Sequence, residues 1–167
     1  MKTISLFLTG MMAIATLGFV SCSSSNVMSK SERAQAVKKQ IEDRQYTIEV
    51  NRMIPMNGRA RELTPTYSLS INGDTINSHL PYFGTAYSIP YGGGQGLIFK
   101  APITVYSENF DAKGTADISI RTRSEDDNYV YRIQVFENGS TTIHVTPNNR
   151  QAITFYGSIE LKKEKEQ

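Results

Sequence analysis

The stretch Asn128-Tyr129-Val130-Tyr131-Arg132-Ile133-Gln134-Val135-Phe136-Glu137-Asn138-Gly139-Ser140-Thr141-Thr142-Ile143-His144-Val145 decides the fold class. Tyr129, Tyr131, Ile133 and Val135 occupy every second place, which is the period of a strand with one face buried. Asn138-Gly139 then supplies the positive φ angles that a tight hairpin turn requires. Ile143 and Val145 resume the period, with His144 on the opposite face. Two antiparallel strands joined by a short turn are predicted.

The same pattern extends in both directions. Tyr46, Ile48 and Val50, then Tyr67, Leu69 and Ile71, then Ile118 and Ile120, and finally Ile153, Phe155, Gly157, Ile159 and Leu161 repeat the two-residue period. Asn57-Gly58, Asn72-Gly73, Lys113-Gly114, Asp126-Asp127-Asn128 and Asn148-Asn149 separate the runs with turn residues. The expected class is therefore all-β: an antiparallel meander of about eight strands forming a sandwich or a barrel, because an open sheet of that size leaves its edges in water. Pro102 interrupts the apolar run from Leu97 to Val105, and proline cannot donate to a central ladder, so two short strands or an edge strand are expected there.

Ahead of the strands, Ser29-Lys30-Ser31-Glu32 matches a capping box, and Ala34, Val37 and Ile41 follow at helical spacing. A helix is predicted over residues 30–44, its apolar stripe lying on the β domain and Arg33, Gln35, Lys38, Lys39 and Glu42 facing water.

Lys2 followed by the apolar run from Ile4 to Val20 has the form of a secretory signal over residues 1–21. Ser21-Cys22-Ser23-Ser24-Ser25-Asn26 closes it with small and polar residues, not with the charged stop expected of a spanning helix. Phe19-Val20-Ser21-Cys22 resembles the lipobox of bacterial lipoproteins, although Leu is usual where Phe19 stands. That resemblance implies cleavage before Cys22, lipid on its sulfur, and a partner that is the membrane itself. Residues 22–29 then form a tether, 30–161 a helix plus β domain, and 162–167 a charged tail.

Composition narrows the function classes. The 167 residues carry 18 Lys+Arg against 16 Asp+Glu, and loss of residues 1–21 removes only Lys2, so no field strong enough to hold nucleic acid is present. One cysteine excludes an intramolecular disulfide and a cysteine zinc site. No cofactor is expected. Gly92-Gly93-Gly94-Gln95-Gly96 matches no phosphate-loop pattern and is followed by strand-like Leu97-Ile98-Phe99 instead of a helix. His79 and His144 are far apart and belong to no ligand cluster, and neither a G-x-S-x-G elbow nor an S-x-x-K motif occurs.

Residues 80–99 hold Tyr82, Phe83, Tyr87 and Tyr91 among prolines and glycines. Those four aromatics, with His79 beside them, are the candidate binding residues: an aromatic face can stack on apolar ligand faces, cations or partner side chains. The competing reading has the same rings closing one end of the β core. The absence of Trp weakens a carbohydrate-binding role.

The lipobox, the short helix, Leu80-Pro81-Tyr82-Phe83-Gly84, Ala86-Tyr87, Gly96-Leu97-Ile98-Phe99, the Tyr129/Tyr131 strand and Tyr156-Gly157 together resemble the uncharacterised Bacteroidetes lipoprotein family named domain of unknown function 4251, over roughly residues 30–161. The resemblance implies an anchored envelope protein and supplies no catalytic residue. Because the residues after Cys22 lack the acidic run that resembles a surface-export tag in some Bacteroidetes lipoproteins, the expected location is the outer membrane, facing the periplasm. The function expected is a non-enzymatic binding or interaction module with an envelope protein partner or small ligand. Two alternatives stand beside it: a carrier with a barrel cavity lined by Tyr46, Tyr67, Tyr131 and Phe155, and a hydrolase gathering His79 with a carboxylate.

Overall fold

The computed structural model describes residues 28–87 and 97–161. Cys22, Tyr91, the glycine run at 92–96 and the tail at 162–167 lie outside the described residues. In chain order the elements are α1 (Lys30–Glu42), β1 (Gln45–Pro55), β2 (Arg61–Asn72), β3 (Thr75–Leu80), β4 (Leu97–Phe110), β5 (Ala116–Arg123), β6 (Asn128–Val135), β7 (Ser140–Pro147) and β8 (Ile153–Ile159). Each strand pairs antiparallel with the next, and β8 returns to β1, so the meander closes as a barrel and not as a sandwich.

Closure depends on one glycine. Val50 of β1 faces Gly157 of β8 where the β1 register shifts between Val50 and Arg52. A Cβ on Gly157 would run into the Glu49 carbonyl oxygen, so only a residue without a side chain lets the first and last strands approach. The extra residue in β1 bends the strand, as bulges do where a sheet must curve onto itself, and Met53 points inward again beyond it.

The two-residue alternation sends apolar side chains inward. Ile48, Leu69, Ile76, Ile120, Ile143 and Phe155 are fully buried, while Glu49, Asn77, Asp117, Arg132 and Gln134 stand outside. This apolar-in, polar-out wall is the reverse of a membrane-spanning barrel, whose outer band must be apolar. The interior is filled by the chain's own side chains. Tyr131 is 0% exposed, and its hydroxyl donates across the interior to Ser78 Oγ at 3.1 Å, which in turn donates to the Leu97 carbonyl at 2.7 Å. Burial drives the Tyr131 phenol well above its ordinary pKa. Nearby, Phe99 stacks on Tyr129 with ring centroids 4.6 Å apart.

The turns sort to two ends. One end collects the start of β1, Gly73-Asp74, the turn after Phe110 and Asn138-Gly139. Gly73 has φ 58° and Asp74 does not have positive φ, the pattern of a type II′ hairpin turn. The predicted helix covers this end. Ser29 and Glu32 form the capping box, Val37 and Ile41 are buried, and Arg33 donates to the Asn138 carbonyl at 3.4 Å. Arg44 leaves the helix at φ 50°, a conformation costly for a residue with a Cβ. Its guanidinium is held 4.3 Å over the Tyr106 ring and 3.2 Å from Asp74.

Around Pro102, of the two short strands or edge strand expected, the first is corrected. Leu97–Phe110 is one continuous strand of 14 residues, not two short ones. It changes partner at the proline: Leu97 to Pro102 pair with β3, and Ile103 to Phe110 pair with β5. Pro102 is tolerated because it stands where one ladder ends and the next begins. Each half of β4 thus has one edge outside a ladder, which is the edge character expected of a strand containing proline.

Candidate functional site

The end opposite the helix carries, among the described residues, 56–60, 81–87, 124–127 and 148–152 of the strand connections. Leu80 closes the core as the last residue of β3, and Pro81, also buried, ends the strand. The chain then doubles back. The Tyr82 ring folds over Gly84, so closely that a Cβ there would stand 2.7 Å from Tyr82 Cζ. Glycine at 84 is what allows the Tyr82 hydroxyl to reach the carbonyls of Gln151 and Thr85, each at 3.1 Å. Burial raises the Tyr82 phenol pKa above its ordinary value.

The loop is laced to the connection between β7 and β8. Tyr87 N–H donates to the Asn149 carbonyl at 2.8 Å, Gln151 N–H donates to the Thr85 carbonyl at 3.0 Å, and Ala86 forms an isolated antiparallel bridge with Arg150. That connection is laced in turn to the β5–β6 turn. Asp127, 4% exposed, accepts from the N–H groups of Asn128 at 2.8 Å, Asn148 at 3.2 Å and Asn149 at 3.1 Å. A buried carboxylate fully engaged by backbone donors is a stable arrangement, and here it fixes two turns against each other. Arg150, 6% exposed, sets its guanidinium 5.7 Å from the centroid of the Tyr82 ring.

On this hydrogen-bonded rim Phe83 is 49% exposed and Tyr87 69%, and Arg61 lies 4.9 Å over the Phe83 ring. Met56, in the neighbouring β1–β2 connection, is also exposed. The described candidate aromatics therefore divide: Tyr82 ties the loop down, whereas Phe83 and Tyr87 keep much of their surface exposed.

The histidines stand elsewhere. His79 is on the outer face of β3, its Nδ1 2.9 Å from the Thr66 carbonyl and its ring stacked on Tyr67 at 5.6 Å. His144 Nδ1 lies 3.0 Å from Thr154 Oγ1, beside an open outer-wall groove of about 360 Å³ flanked by Asp117, Arg132 and Gln134. No group of three or more His, Cys, Asp or Glu side chains among the described residues could hold a metal ion. Of the residues named as a cavity lining, Tyr46, Tyr131 and Phe155 are buried in the packed interior. Tyr46 sits near the helix end, its hydroxyl 3.4 Å from that of Tyr106, which donates to Glu108 at 2.9 Å.

Sequence reasoning missed Asp127 and Arg150. Both fall in stretches whose only local signal is turn composition, and their burial follows from long-range contacts between connections far apart in the chain.

Comparison with known proteins agrees with this architecture. The profile of the domain of unknown function DUF4251 matches residues 28–159. Among solved structures, the crystal structure of a DUF4251 family protein from Bacteroides eggerthii superposes with a TM-score of 0.59 at 16% identity, covering 78% of this chain and 91% of that one. No curated protein matches the chain. With four-fifths of its length inside the family profile and the same barrel in a solved member, this chain belongs to the DUF4251 family.

Proposed function

We propose that this protein is a lipid-anchored lipoprotein of the cell envelope, facing the periplasm from the outer membrane. It acts there as a non-enzymatic interaction module that docks a partner on the aromatic end of its barrel. The observation that carries this reading is the pairing of a side-chain-filled interior with a hydrogen-bonded rim that leaves Phe83 and Tyr87 in water. Exposed aromatics on a rigid support are inexpensive to bury against a partner, because little conformational freedom is lost.

Polarity of the barrel supports it. The chain enters at the helix end, and the seven residues Cys22–Met28 span at most about 25 Å when extended. Two or more acyl chains on Cys22 would hold that end near the bilayer, because a second chain makes release rare. The aromatic end is then the one directed away from the membrane. A carrier would need room in an interior that Tyr131 and Ser78 bridge, and a hydrolase would need His79 beside a carboxylate instead of the Thr66 carbonyl.

The test combines location with capture. The Cys22→Ala variant should leave the membrane pellet, and crosslinking of the intact lipoprotein in its native envelope should recover a protein that Phe83→Ser/Tyr87→Ser loses. An unchanged pellet would refute the anchor. A small molecule retained in the barrel, with no protein captured, would replace the docking module by a carrier.

A further inference from the structure

We propose that Arg150 is the anchor of a carboxylate-binding site at the aromatic end, which deepens the docking reading and rests on it. Arg150 is 6% exposed, yet its guanidinium has no hydrogen-bond acceptor among the described residues. The ion pairs of the described residues engage Lys38, Lys39, Arg44 and Arg52, not Arg150. Among the described residues its side chain has one close partner, the face of Tyr82. A guanidinium carries five N–H donors in a fixed fork, and since no side-chain nitrogen or oxygen of the described residues is both buried and unpartnered, the Arg150 nitrogens without an acceptor keep an edge open to solvent, where a ligand can reach them.

Asp127 does not supply that acceptor. Both charges act on Tyr82 and Tyr129, so the cation and the acid share this end of the barrel. Its oxygens, however, are taken by the backbone N–H groups of Asn128, Asn148 and Asn149. The backbone of Arg150 is fixed by its bridge to Ala86, and the flanking Gln151 and Asn149 are bonded to Thr85 and Tyr87. A held backbone, one aromatic face and an unanswered planar fork are the elements of a bidentate carboxylate site. Tyr82 offers the ligand a ring beside the charge, and Phe83 and Tyr87 offer apolar contact outside it. The ligand class is a carboxylate borne on a flat or apolar group, either as a free small acid or as the terminal carboxylate of a polypeptide.

The experiment titrates the intact protein, held in detergent micelles, with benzoate, with benzamide, and with a short aromatic-ended peptide bearing either a free or an amidated C-terminus. Amide NMR shifts at Thr85, Tyr87, Arg150 and Gln151 are followed. Benzoate should give saturable shifts there with a dissociation constant on the order of millimolar, and benzamide none. The Arg150→Gln variant should lose the response, and Arg150→Lys, which keeps the charge without the fork, should weaken it about tenfold. If the free-terminus peptide binds tighter than benzoate and its amide does not bind, the source is a chain terminus; if the two free acids bind alike, it is a small acid. Absence of saturable shifts, equal shifts with benzamide, or shifts surviving in Arg150→Gln would overturn the site. Should Arg150→Gln not fold, Arg150→Lys and the benzamide arm decide alone. Failure here alongside continued capture of a partner through Phe83 would remove the carboxylate site and leave the docking module standing.

Discussion

Tyr131 on β6 and Ser78 on β3 meet inside the barrel with their hydroxyl oxygens 3.1 Å apart, and Ser78 passes the hydrogen bond to the carbonyl of Leu97. The relationship joins strands that are not neighbours, so it reports on the packing of the interior and not on local pairing. Tyr131→Phe removes one donor and should cost about 1 kcal/mol, whereas Ser78→Ala leaves a buried hydroxyl and a buried carbonyl without partners and should cost about 2–3 kcal/mol. Chemical denaturation of both variants and the double variant checks this. Additive costs would mean that the two groups do not interact.

Closure of the barrel makes a second prediction. Gly157→Ala places a methyl group against the Glu49 backbone, which cannot withdraw without opening the β1–β8 seam. A loss of about 3 kcal/mol is expected, with hydrogen exchange accelerated first in β1 and β8. A thermal midpoint equal to that of the parent would show that the strands need not approach so closely.

Asp127 is predicted to hold the rim together. Asp127→Ala strands the N–H groups of Asn148 and Asn149 and should cost about 2–3 kcal/mol. Asp127→Asn, which keeps an acceptor oxygen, should cost less. The local signature is faster amide exchange at Asn148, Asn149 and Tyr87, while Tyr131 at the centre stays protected.

Alkaline pH should weaken the helix end. Burial first, then the hydrogen bond to Glu108 and its charge, push the Tyr106 phenol up to about 12, while its contact with Tyr46 acts the other way. Tyr46 is also raised well above the ordinary value, chiefly by burial. Phenols raised on folding hold their protons longer in the native state, so their contribution is intact below about pH 10, the unfolded value. It is lost as pH climbs toward about 12. Urea midpoints measured between pH 9 and 11.5 should fall more steeply for the parent than for Tyr106→Phe; parallel curves would contradict this.

Much of the fold is legible in alternation alone. Tyr129, Tyr131, Ile133 and Val135 all face the interior as their spacing requires, and Ser29 and Glu32 cap the helix as their spacing predicts. Barrel against sandwich was not legible, because it turns on the pairing of Val50 with Gly157, residues remote in sequence whose contact has no local signature. The bulge in β1 is hidden for the same reason. At the candidate site, Leu80-Pro81-Tyr82-Phe83-Gly84 stood out as a structured loop, yet composition could not separate the ring that ties the loop from the rings that face water. That division is made by Gln151, whose carbonyl receives the Tyr82 hydroxyl from the far end of the chain. Arg150 carried no signal at all, since the acceptors it lacks become visible only in three dimensions.

The most direct test of the docking module is site-specific photocrosslinking in the native envelope, with a photoreactive side chain at Phe83 and, in a separate variant, at Val105 on the outer wall, a residue of similar exposure. A discrete protein adduct from position 83 and none from position 105 is the predicted result. Adducts from position 105 alone, or from neither position, would contradict the claim that the aromatic end is where this protein meets its partner.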